Sequence, residues 1–354
     1  MKCRIHLKQK KECISMRQAI MVSPGQIEFR QVDPPKPGPR DILLQIQRIG
    51  ICGSDIHVYH GRHPFTSYPV VQGHEFSGKV ISIGDQVREI PVDAKVTALP
   101  QIVCGKCKPC IRGDYHICDS LRVFGFQAPG VAQDLFAIDM DKVVLLPDSF
   151  SYEQGALIEP TSVAVHAIQH VIDIKDRNVV VFGAGPIGNL VAQVAKAKGA
   201  NVLIRDINDF RLEKAKTCGI LNTSNPNQET LQESGHRIFG DSGFDITFEC
   251  TGVEDVLSSA IESIAKGGVI VIVAVYGKKL LVDISLIQDR ELKLMGTLMY
   301  KKEDYQEAVE LVARGDIQLT PLVTHHFQFE KFLEAYKFIN DNGDLTLKVM
   351  IDIE

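Results

Sequence analysis

The sequence predicts an α/β protein with two domains, of which the first is mostly β and the second alternates strands with helices. The chain has 354 residues and 45% hydrophobic content, which is enough for two buried cores. Before about residue 160, short strand-like runs such as 42–47, 78–83 and 142–146 are separated by Pro, Gly and Asp turns. From about residue 178 to 295, apolar strands alternate with helical patterns, which indicates a doubly wound parallel sheet.

The individual elements follow from the same patterns. In the second domain we expect strands at 179–182, 202–205, 246–249 and 269–273, and helices at 186–198 and 210–217. After residue 300 we expect helices at 305–314 and 329–340, then a closing strand at 348–353. At the other end of the chain, residues 1–15 resemble a loose extension, and Met16 opens a pair of strands.

Composition favours a cytoplasmic protein that acts on small molecules. The net charge of -5 is mild and its acids and bases are interspersed, so nothing favours nucleic acid or an anionic membrane surface as partner. The basic first residues contain no apolar core long enough for a signal peptide, and no apolar run reaches transmembrane length. The nine cysteines are an odd number, which is more typical of a reducing compartment than of a disulfide framework.

Four cysteines lie within the short stretch CGKCKPCIRGDYHIC, and their spacing predicts a structural zinc site. They are Cys104, Cys107, Cys110 and Cys118. Two C-x2-C steps overlap on one tight loop, and a longer loop brings in the fourth sulfur. Four thiolates leave no coordination position for a substrate, so the chemistry must lie elsewhere. The alternative is a pair of disulfides, but cysteines this close along a chain are awkward to bridge and the nearby lysines favour thiolates.

A glycine-rich turn in the stretch VVVFGAGPIGNL predicts a dinucleotide site. Its residues are Gly183, Gly185, Pro186, Ile187 and Gly188. We expect the first glycine to allow the tight turn, the second to let backbone N–H groups approach a pyrophosphate, and the third to let the helix pack against the sheet. The helix N-terminus then stabilises the phosphate charge. The alternative is a glycine-rich turn without a ligand, which the flanking strand and helix disfavour.

Asp206, at the end of the next strand, favours NAD over NADP. Its carboxylate is expected to accept hydrogen bonds from the ribose hydroxyls and to repel a 2′-phosphate. Arg205 and Arg211 lie close by and can weaken that preference, and we include Arg211 among the residues that contact the cofactor. Alternation along a strand places the Arg205 side chain on the face opposite Asp206.

A second group of metal ligands precedes the cysteine cluster. Cys52, in GICGSDIH, and His74 with Glu75, in QGHEFSG, offer one sulfur, one imidazole and one carboxylate. Three protein ligands with an open position are the pattern of a catalytic zinc. Glu159, in ALIEP, is a further carboxylate that either replaces Glu75 on the metal or holds its water, and the sequence leaves both possibilities open. Two histidine pairs are expected to be structural instead: His166 with His170, and His325 with His326.

In their order along the chain, these motifs resemble the zinc-dependent medium-chain dehydrogenase family. The triplets Gly-His-Glu at 73–75 and Ile-Glu-Pro at 158–160 are similar to its polyol branch, which holds sorbitol, threonine and sugar-acid dehydrogenases. The resemblance runs from Met16 onward and implies a homo-oligomer, a tetramer or a dimer. It also implies three regions: a GroES-like catalytic domain at 16–161 with the structural zinc lobe at 100–120, a Rossmann NAD-binding domain at 162–297, and a return to the catalytic domain at 298–354.

The resemblance also implies roles for individual residues. Cys52, His74 and Glu75 correspond to the catalytic zinc ligands, the four clustered cysteines correspond to the structural site, and Ser54 and His57 correspond to a proton relay. The substrate pocket is expected around Arg62, Phe126 and Tyr300. Sorbitol dehydrogenases carry an Arg-Tyr pair where this chain has Met299 and Tyr300, so sorbitol itself is not the expected substrate.

Together, these features predict a zinc-dependent oxidoreductase. It is expected to transfer a hydride from a polyhydroxylated secondary alcohol, a sugar alcohol or a sugar acid, to NAD, which gives a ketone, and to bind zinc at both sites. Three alternatives remain open. They are oxidation of an amino alcohol as in L-threonine 3-dehydrogenase, reduction of aldehydes with NADP, and a non-catalytic regulatory protein with the same fold.

Overall fold

A computed structural model describes residues 15–353 of the chain. The expected loose extension at 1–15 therefore lies outside the described residues, apart from Ser15. The first half contains the strands β1 (Met16–Ser23), β2 (Gln26–Val32), β3 (Asp41–Gly50), β4 (Glu75–Ile83), β5 (Lys95–Ala98), β6 (Gln101–Ile102), β7 (Arg122–Val123), β8 (Leu135–Asp139) and β9 (Val143–Leu145). Its helices are α1 (Gly53–Tyr59), α2 (Lys108–Ile111), α3 (Tyr152–Ala156) and α4 (Ile158–Gln169).

The second half alternates strands and helices as expected. Its strands are β10 (Asn178–Phe182), β11 (Asn201–Arg205), β12 (Thr223–Ser224), β13 (Ile246–Glu249), β14 (Val269–Ile272) and β15 (Lys293–Gly296). Its helices are α5 (Pro186–Ala197), α6 (Asp209–Thr217), α7 (Leu231–Phe239), α8 (Glu254–Ser263) and α9 (Ile284–Asp289). The C-terminal part contains α10 (Lys302–Ala313), β16 (Val323–Gln328), α11 (Phe332–Asp341) and β17 (Lys348–Asp352).

The second half forms a six-stranded parallel sheet in the order β12-β11-β10-β13-β14-β15. Alternate side chains of β10 enter two different cores: Val179 and Val181 pack with the α4 and α5 side, whereas Val180 and Phe182 pack with the α7 and α8 side. Helices therefore cover both faces, which confirms the predicted doubly wound sheet. Strand order reverses beside β10, and ligands of such sheets bind at the carboxyl ends of the strands at this position.

The other main sheet joins the two ends of the chain. Its order is β16-β17-β3-β4-β5-β9, with β8 also paired to β3. The C-terminal strand β17 lies antiparallel to β3, with Met350 opposite Gly50 and Asp352 opposite Arg48. The last residues therefore pack into the same apolar core as the first strands. This arrangement brings the C-terminal segment next to the residues that follow β3, where Cys52 lies.

The main differences from the sequence prediction concern helix starts. Helix α10 begins at Lys302 rather than at residue 305, because the Asp304 carboxylate accepts a hydrogen bond of 2.6 Å from the Lys301 N–H and so caps the first turn. Helix α11 begins at Phe332 rather than at 329, because one turn of 3-10 helix, Phe329–Lys331, precedes it. Within residues 15–353, no helix has the length and apolar character needed to cross a bilayer.

Candidate active site and metal centres

The glycine-rich turn lies at the carboxyl end of β10, as the motif predicts. Gly183 has a φ of 94°, a left-handed conformation that favours glycine. A Cβ added to Gly188 would lie 1.8 Å from the Gly183 carbonyl oxygen, so only glycine lets α5 pack this close. A Cβ added to Gly185 would meet no other atom within 4 Å. The helix N-terminus is therefore open at Gly185, where an anion can reach its free N–H groups.

Asp206 borders this turn, and the two arginines beside it point elsewhere. Its carboxylate accepts hydrogen bonds from the N–H groups of Ala184, at 2.7 Å, and of Asn208, at 2.9 Å. Arg205 is buried and donates to Ser224 at 2.7 Å, on the α7 side of the sheet, as alternation along the strand predicts. Arg211 donates to the Gly343 carbonyl at 3.1 Å. The contact of Arg211 with the cofactor stays a prediction.

Cys52, His74 and Glu75 come together although the chain separates them. One ligand atom from each lies within 4.8 Å of the others. Cys52 precedes α1 and Glu75 opens β4, so the pairing of β3 with β4, which sets Gly50 opposite Glu75, holds the group in place. A thiol, an imidazole and a carboxylate at these distances fit a zinc ion with an open coordination position.

The Asp55 carboxylate orients the His74 ring. One Asp55 oxygen accepts a hydrogen bond of 2.9 Å from the Cys52 N–H, and the other lies 3.6 Å from His74 Nδ1, which is buried and has no hydrogen-bond partner. Burial opposes charge on the ring, yet Asp55 and then Cys52 raise the pKa of His74 well above its ordinary value. A ring that keeps its proton on Nδ1, toward Asp55, has its lone pair on Nε2, which is then the nitrogen available to a metal.

Glu75 also forms a buried ion pair that the sequence analysis missed. Lys348, on β17, donates to both of its carboxylate oxygens, at 2.7 and 2.5 Å. Burial lowers the pKa of Lys348, but the nearby Glu75 carboxylate outweighs burial and raises it above the ordinary lysine value. A lysine within the apolar run of a closing strand was the available signal, since buried lysines are almost always paired.

Glu159 lies beside this group without joining it. The ligand atoms that meet are those of Cys52, His74 and Glu75, which favours Glu75 as the third protein ligand. Glu159 is buried and accepts a hydrogen bond from the Tyr300 hydroxyl. Burial, with a further contribution from the Glu75 charge, raises the pKa of Glu159 to about 7 despite the opposing effect of His74. Tyr300 is fully buried and its hydroxyl is bound to Glu159, and its contact with substrate stays a prediction.

The remaining predicted residues surround the metal group. Ser54 is half-buried and His57 is exposed, and both lie on α1, which starts directly after Cys52. Phe126 lies between two histidine rings, with its centroid 4.6 Å from His63 in a stacked arrangement and 4.8 Å from His74. Arg62 is exposed on the same loop as His63, and the contact of both residues with substrate stays a prediction.

The four clustered cysteines also meet, with one sulfur from each within 4.8 Å of the others. Backbone N–H groups point at these sulfurs: Cys107 N–H lies 3.4 Å from Cys104 Sγ, and Cys104 N–H lies 3.3 Å from Cys118 Sγ. The N–H groups of Lys106 and Cys107 lower the pKa of Cys104 to about 6. All four cysteines are free, so the disulfide alternative is not formed here. Burial raises the pKa of Cys110 to about 12, so the N–H groups favour a thiolate, the form that binds zinc, at Cys104 rather than at all four sulfurs.

The histidine pairs occupy structural positions. His166 Nδ1 lies 2.8 Å from the Asp304 carboxylate, which ties α4 to α10. The rings of His166 and His170 meet edge to face with centroids 5.2 Å apart. His326 lies between Glu153, at 3.1 Å, and Asp352, at 3.0 Å, whereas the His325 ring packs against Phe338.

Comparison with known proteins places these sites in a family. Residues 38–148 match the family model described as alcohol dehydrogenase GroES-like domain, and residues 186–314 match the zinc-binding dehydrogenase model. The chain is 36% identical over 289 residues to 2-dehydro-3-deoxy-L-galactonate 5-dehydrogenase of Pseudoalteromonas atlantica, covering 81% of this chain and 84% of that protein. It is 35% identical over 352 residues to D-xylulose reductase of Saccharomyces cerevisiae, covering 96% and 98% of the two chains.

A solved structure agrees with these relatives. The fold matches a putative zinc-binding dehydrogenase from Sinorhizobium meliloti 1021 bound to NADP, with a TM-score of 0.88 and 28% identity, over 96% of this chain and 99% of that one. The family models, the relatives and the shared fold all indicate a zinc-dependent dehydrogenase. The two cysteine-containing groups and the glycine-rich turn are the sites that such an enzyme needs. The chain therefore belongs to the zinc-dependent medium-chain dehydrogenases, in their polyol branch, which work with zinc and a nicotinamide cofactor.

Proposed function

We propose that this protein oxidises a polyhydroxylated secondary alcohol, a sugar alcohol or a sugar acid, to a ketone, with NAD as the hydride acceptor. The observation that carries the proposal is the meeting of Cys52, His74 and Glu75 beside the buried Glu159, in a chain that also holds an open dinucleotide turn. The relatives named above act, by their names, on a sugar ketone and a sugar acid, which supports a substrate with several hydroxyls.

Different residues around the metal group transfer the proton and orient the substrate. A zinc ion held by Cys52, His74 and Glu75 supplies the Lewis acidity that lowers the pKa of a hydroxyl. Ser54 Oγ accepts the hydroxyl proton and passes it to a ring nitrogen of His57, which is exposed and releases the proton to water. Glu159, with its pKa near neutrality, holds or gives up a proton at its carboxylate beside the reacting atoms.

The loop that carries Arg62 and His63 orients the substrate. The Phe126 ring stacks on His63 and meets the His74 ring at an angle of 48°, so the three rings form an aromatic wall next to the metal group. Arg62 is exposed on this loop and is free to meet a carboxylate with its planar fork of donors. A sugar acid therefore fits the site somewhat better than sorbitol, since Met299 stands where sorbitol dehydrogenases carry arginine.

The test is a screen of NAD reduction with purified protein over sugar alcohols, sugar acids, L-threonine and simple alkanols. We expect a sugar acid or sugar alcohol to give the highest kcat/KM, and Arg62→Ala to raise KM for an acidic substrate far more than for a neutral one. If L-threonine is the best substrate, the result favours oxidation of an amino alcohol. L-threonine is in the screen because some relatives are named L-threonine 3-dehydrogenase. Best turnover of ethanol or benzyl alcohol, with no effect of Arg62→Ala, would refute this assignment.

The assembly that we propose is a homo-oligomer built on the edge strand β15. Within residues 15–353, β15 pairs only with β14, so its other edge is open. Val275 and Leu281, in the loop after β14, are 89% and 87% exposed, and Ile284 on α9 is 67% exposed. An open strand edge beside apolar side chains suits pairing with a second copy of the chain. We also propose a cytoplasmic location, in keeping with the free described cysteines.

A further inference from the structure

A buried tyrosine of the C-terminal helix α11 is connected to the metal group through two side chains. Tyr336 is buried, and its ring stacks on Tyr59 with centroids 5.0 Å apart and an angle of 2° between the planes. Its hydroxyl donates a hydrogen bond of 3.0 Å to the side-chain carbonyl of Gln72. Gln72 lies two positions before the proposed metal ligand His74. The C-terminal segment thus reaches the loop that carries His74.

Gln72 in turn contacts Asp55. The Gln72 amide nitrogen lies 3.4 Å from an Asp55 carboxylate oxygen and 3.3 Å from the Asp55 backbone carbonyl. Asp55 in turn accepts from the Cys52 N–H at 2.9 Å and lies 3.6 Å from His74 Nδ1. An unbroken series of polar contacts therefore leads from Tyr336 to both Cys52 and His74.

The Gln72 amide is held from both sides, by Asp55 at its nitrogen and by the tyrosine hydroxyl at its oxygen. A side-chain amide has an accepting oxygen on one side and a donating nitrogen on the other. The Asp55 carboxylate and backbone carbonyl can only accept, so they hold the amide nitrogen on their side. The reversed amide would place its oxygen against the carboxylate, and two buried acceptors repel each other. The Tyr336 hydroxyl binds the amide oxygen on the opposite side, and without it the amide loses the contact that holds that end in place.

We propose that Tyr336 is a positioning residue for the catalytic metal, and that it acts through Gln72 to hold Asp55 where its carboxylate orients His74. With Nδ1 directed at Asp55, His74 presents Nε2 to the ion. The 3.6 Å separation of His74 Nδ1 from Asp55 is slightly long for a hydrogen bond, and we expect it to shorten when the ion is bound. The inference rests on the proposed function, in which Cys52, His74 and Glu75 bind zinc.

The substitution Tyr336→Phe tests this role because it removes only the hydroxyl. The ring keeps its stacking on Tyr59 and its contact with Phe332, whose centroid lies 5.7 Å away. The matched control is Tyr276→Phe, which removes a hydroxyl that donates a bond of 2.7 Å to the buried Glu249 in the other sheet. Both variants lose one hydrogen bond to a buried acceptor, so any general loss of stability is expected to appear in both.

The measurements are the zinc affinity of the Cys52 site, by competition with a chelator, and the absorption spectrum of the protein after that site is loaded with Co²⁺. Outer contacts to metal-bound histidines typically change metal affinity about 10- to 100-fold, and with one amide between we expect Tyr336→Phe to weaken affinity about three- to tenfold. The Co²⁺ bands should shift in Tyr336→Phe and stay unchanged in Tyr276→Phe. In a Gln72→Met background, Tyr336→Phe should have no further effect.

The outcomes separate this inference from the proposed function. If the wild-type protein and Cys52→Ser bind the same amount of zinc, Cys52 is not a ligand and the proposed function fails with it. If Cys52→Ser loses one zinc ion while Tyr336→Phe keeps wild-type affinity and an unchanged Co²⁺ spectrum, the proposed function stands and the role of Tyr336 is wrong. Equal changes in Tyr336→Phe and Tyr276→Phe would also overturn it, since they would reflect stability alone.

Discussion

Cys52 and Cys107 carry the same thiol, but their neighbours give the two sulfurs different tasks. Cys52 lies with His74 and Glu75, so three protein ligands leave a metal with one open position. A buried lysine and a second buried carboxylate lie next to this group. Cys107 lies among three other sulfurs that close the coordination sphere. A catalytic ion can be lost without loss of the fold, whereas a closed four-thiolate ion holds its lobe together.

This difference predicts opposite results for two serine substitutions. Cys52→Ser should lower turnover more than about a hundredfold while the melting temperature stays nearly unchanged, because only an open site is lost. Cys107→Ser should lower the melting temperature and the yield of folded protein. Zinc should fall from two ions per subunit to one in each variant, measured by elemental analysis. Cys218→Ser, at a buried cysteine outside both groups, is the control. An active preparation with one zinc ion or none would contradict the assignment.

A second prediction at the residue scale concerns cofactor choice. Asp206 faces the dinucleotide turn, whereas Arg205 is bound to Ser224 and Arg211 is bound to Gly343. A carboxylate without a competing arginine repels a 2′-phosphate, so kcat/KM with NAD should exceed that with NADP by at least about tenfold, roughly 1.4 kcal/mol. Asp206→Ser should bring the ratio of kcat/KM with NAD to kcat/KM with NADP closer to one. Equal efficiency of the two cofactors in the wild-type protein would show that an arginine dominates this pocket.

Residue patterns in the sequence indicated the candidate metal ligands but not the residues that hold those ligands in place. Cys52, the His74-Glu75 pair and the four clustered cysteines are recognisable because metal chemistry restricts both residue type and spacing. Lys348 and Tyr336 reach the same site from the far end of the chain, and only the pairing of β17 with β3 brings them there. The position of Lys348 in an apolar strand indicates that it is paired but does not identify Glu75 as its partner, and the contact of Tyr336 leaves no local pattern.

At the scale of elements, the turn between β10 and α5 has two glycines with different constraints. Gly188 has no room for a side chain, because a Cβ there would lie 1.8 Å from the Gly183 carbonyl oxygen. Gly185 caps α5 with a φ of -64°, which any residue adopts, and has open space around it. Packing of the helix therefore depends on Gly188, whereas approach of a pyrophosphate depends on Gly185.

Alanine substitutions should separate these two requirements. Gly188→Ala should destabilise the fold by about 1 to 3 kcal/mol, as added methyl groups in packed regions do, measured by denaturant unfolding. Gly185→Ala should leave the free energy of unfolding nearly unchanged but weaken NAD binding at least about tenfold by calorimetry, because its methyl group occupies the phosphate position. Equal loss of stability in both variants would mean that the turn has no open face for a ligand.

Element boundaries show where local patterns were sufficient. The predicted strands of the parallel sheet match within one residue, because buried parallel strands are short apolar runs with clear ends. The start of α10 was misplaced by three residues, since Lys302 and Glu303 carry no apolar periodicity and the cap formed by Asp304 defines the first turn. Short helices such as α1, with seven residues, and α3, with five, were missed because one or two turns are too short to show a period.

At the scale of the whole molecule, the two ends of the six-stranded sheet differ. Strand β12 has only two residues, which is too short an edge to pair with another chain. Strand β15, at the opposite end, has four residues and lies near Val275, Leu281 and Ile284, which are all exposed. The sequence indicated a homo-oligomer only through resemblance, because an open edge becomes visible once the strand order is known.

These edges predict where subunits meet. Two copies related by a twofold axis can pair their β15 strands antiparallel and cover the apolar residues beside them. The double substitution Val275→Glu with Leu281→Glu should therefore reduce the assembly to smaller species, measured by sedimentation velocity, because four carboxylates would meet across the axis. The control is Leu221→Glu, which places a charge on a residue 76% exposed at the β12 end and should leave the mass unchanged. A monomeric wild-type protein at micromolar concentration, or dissociation by Leu221→Glu alone, would show that subunits do not meet through β15.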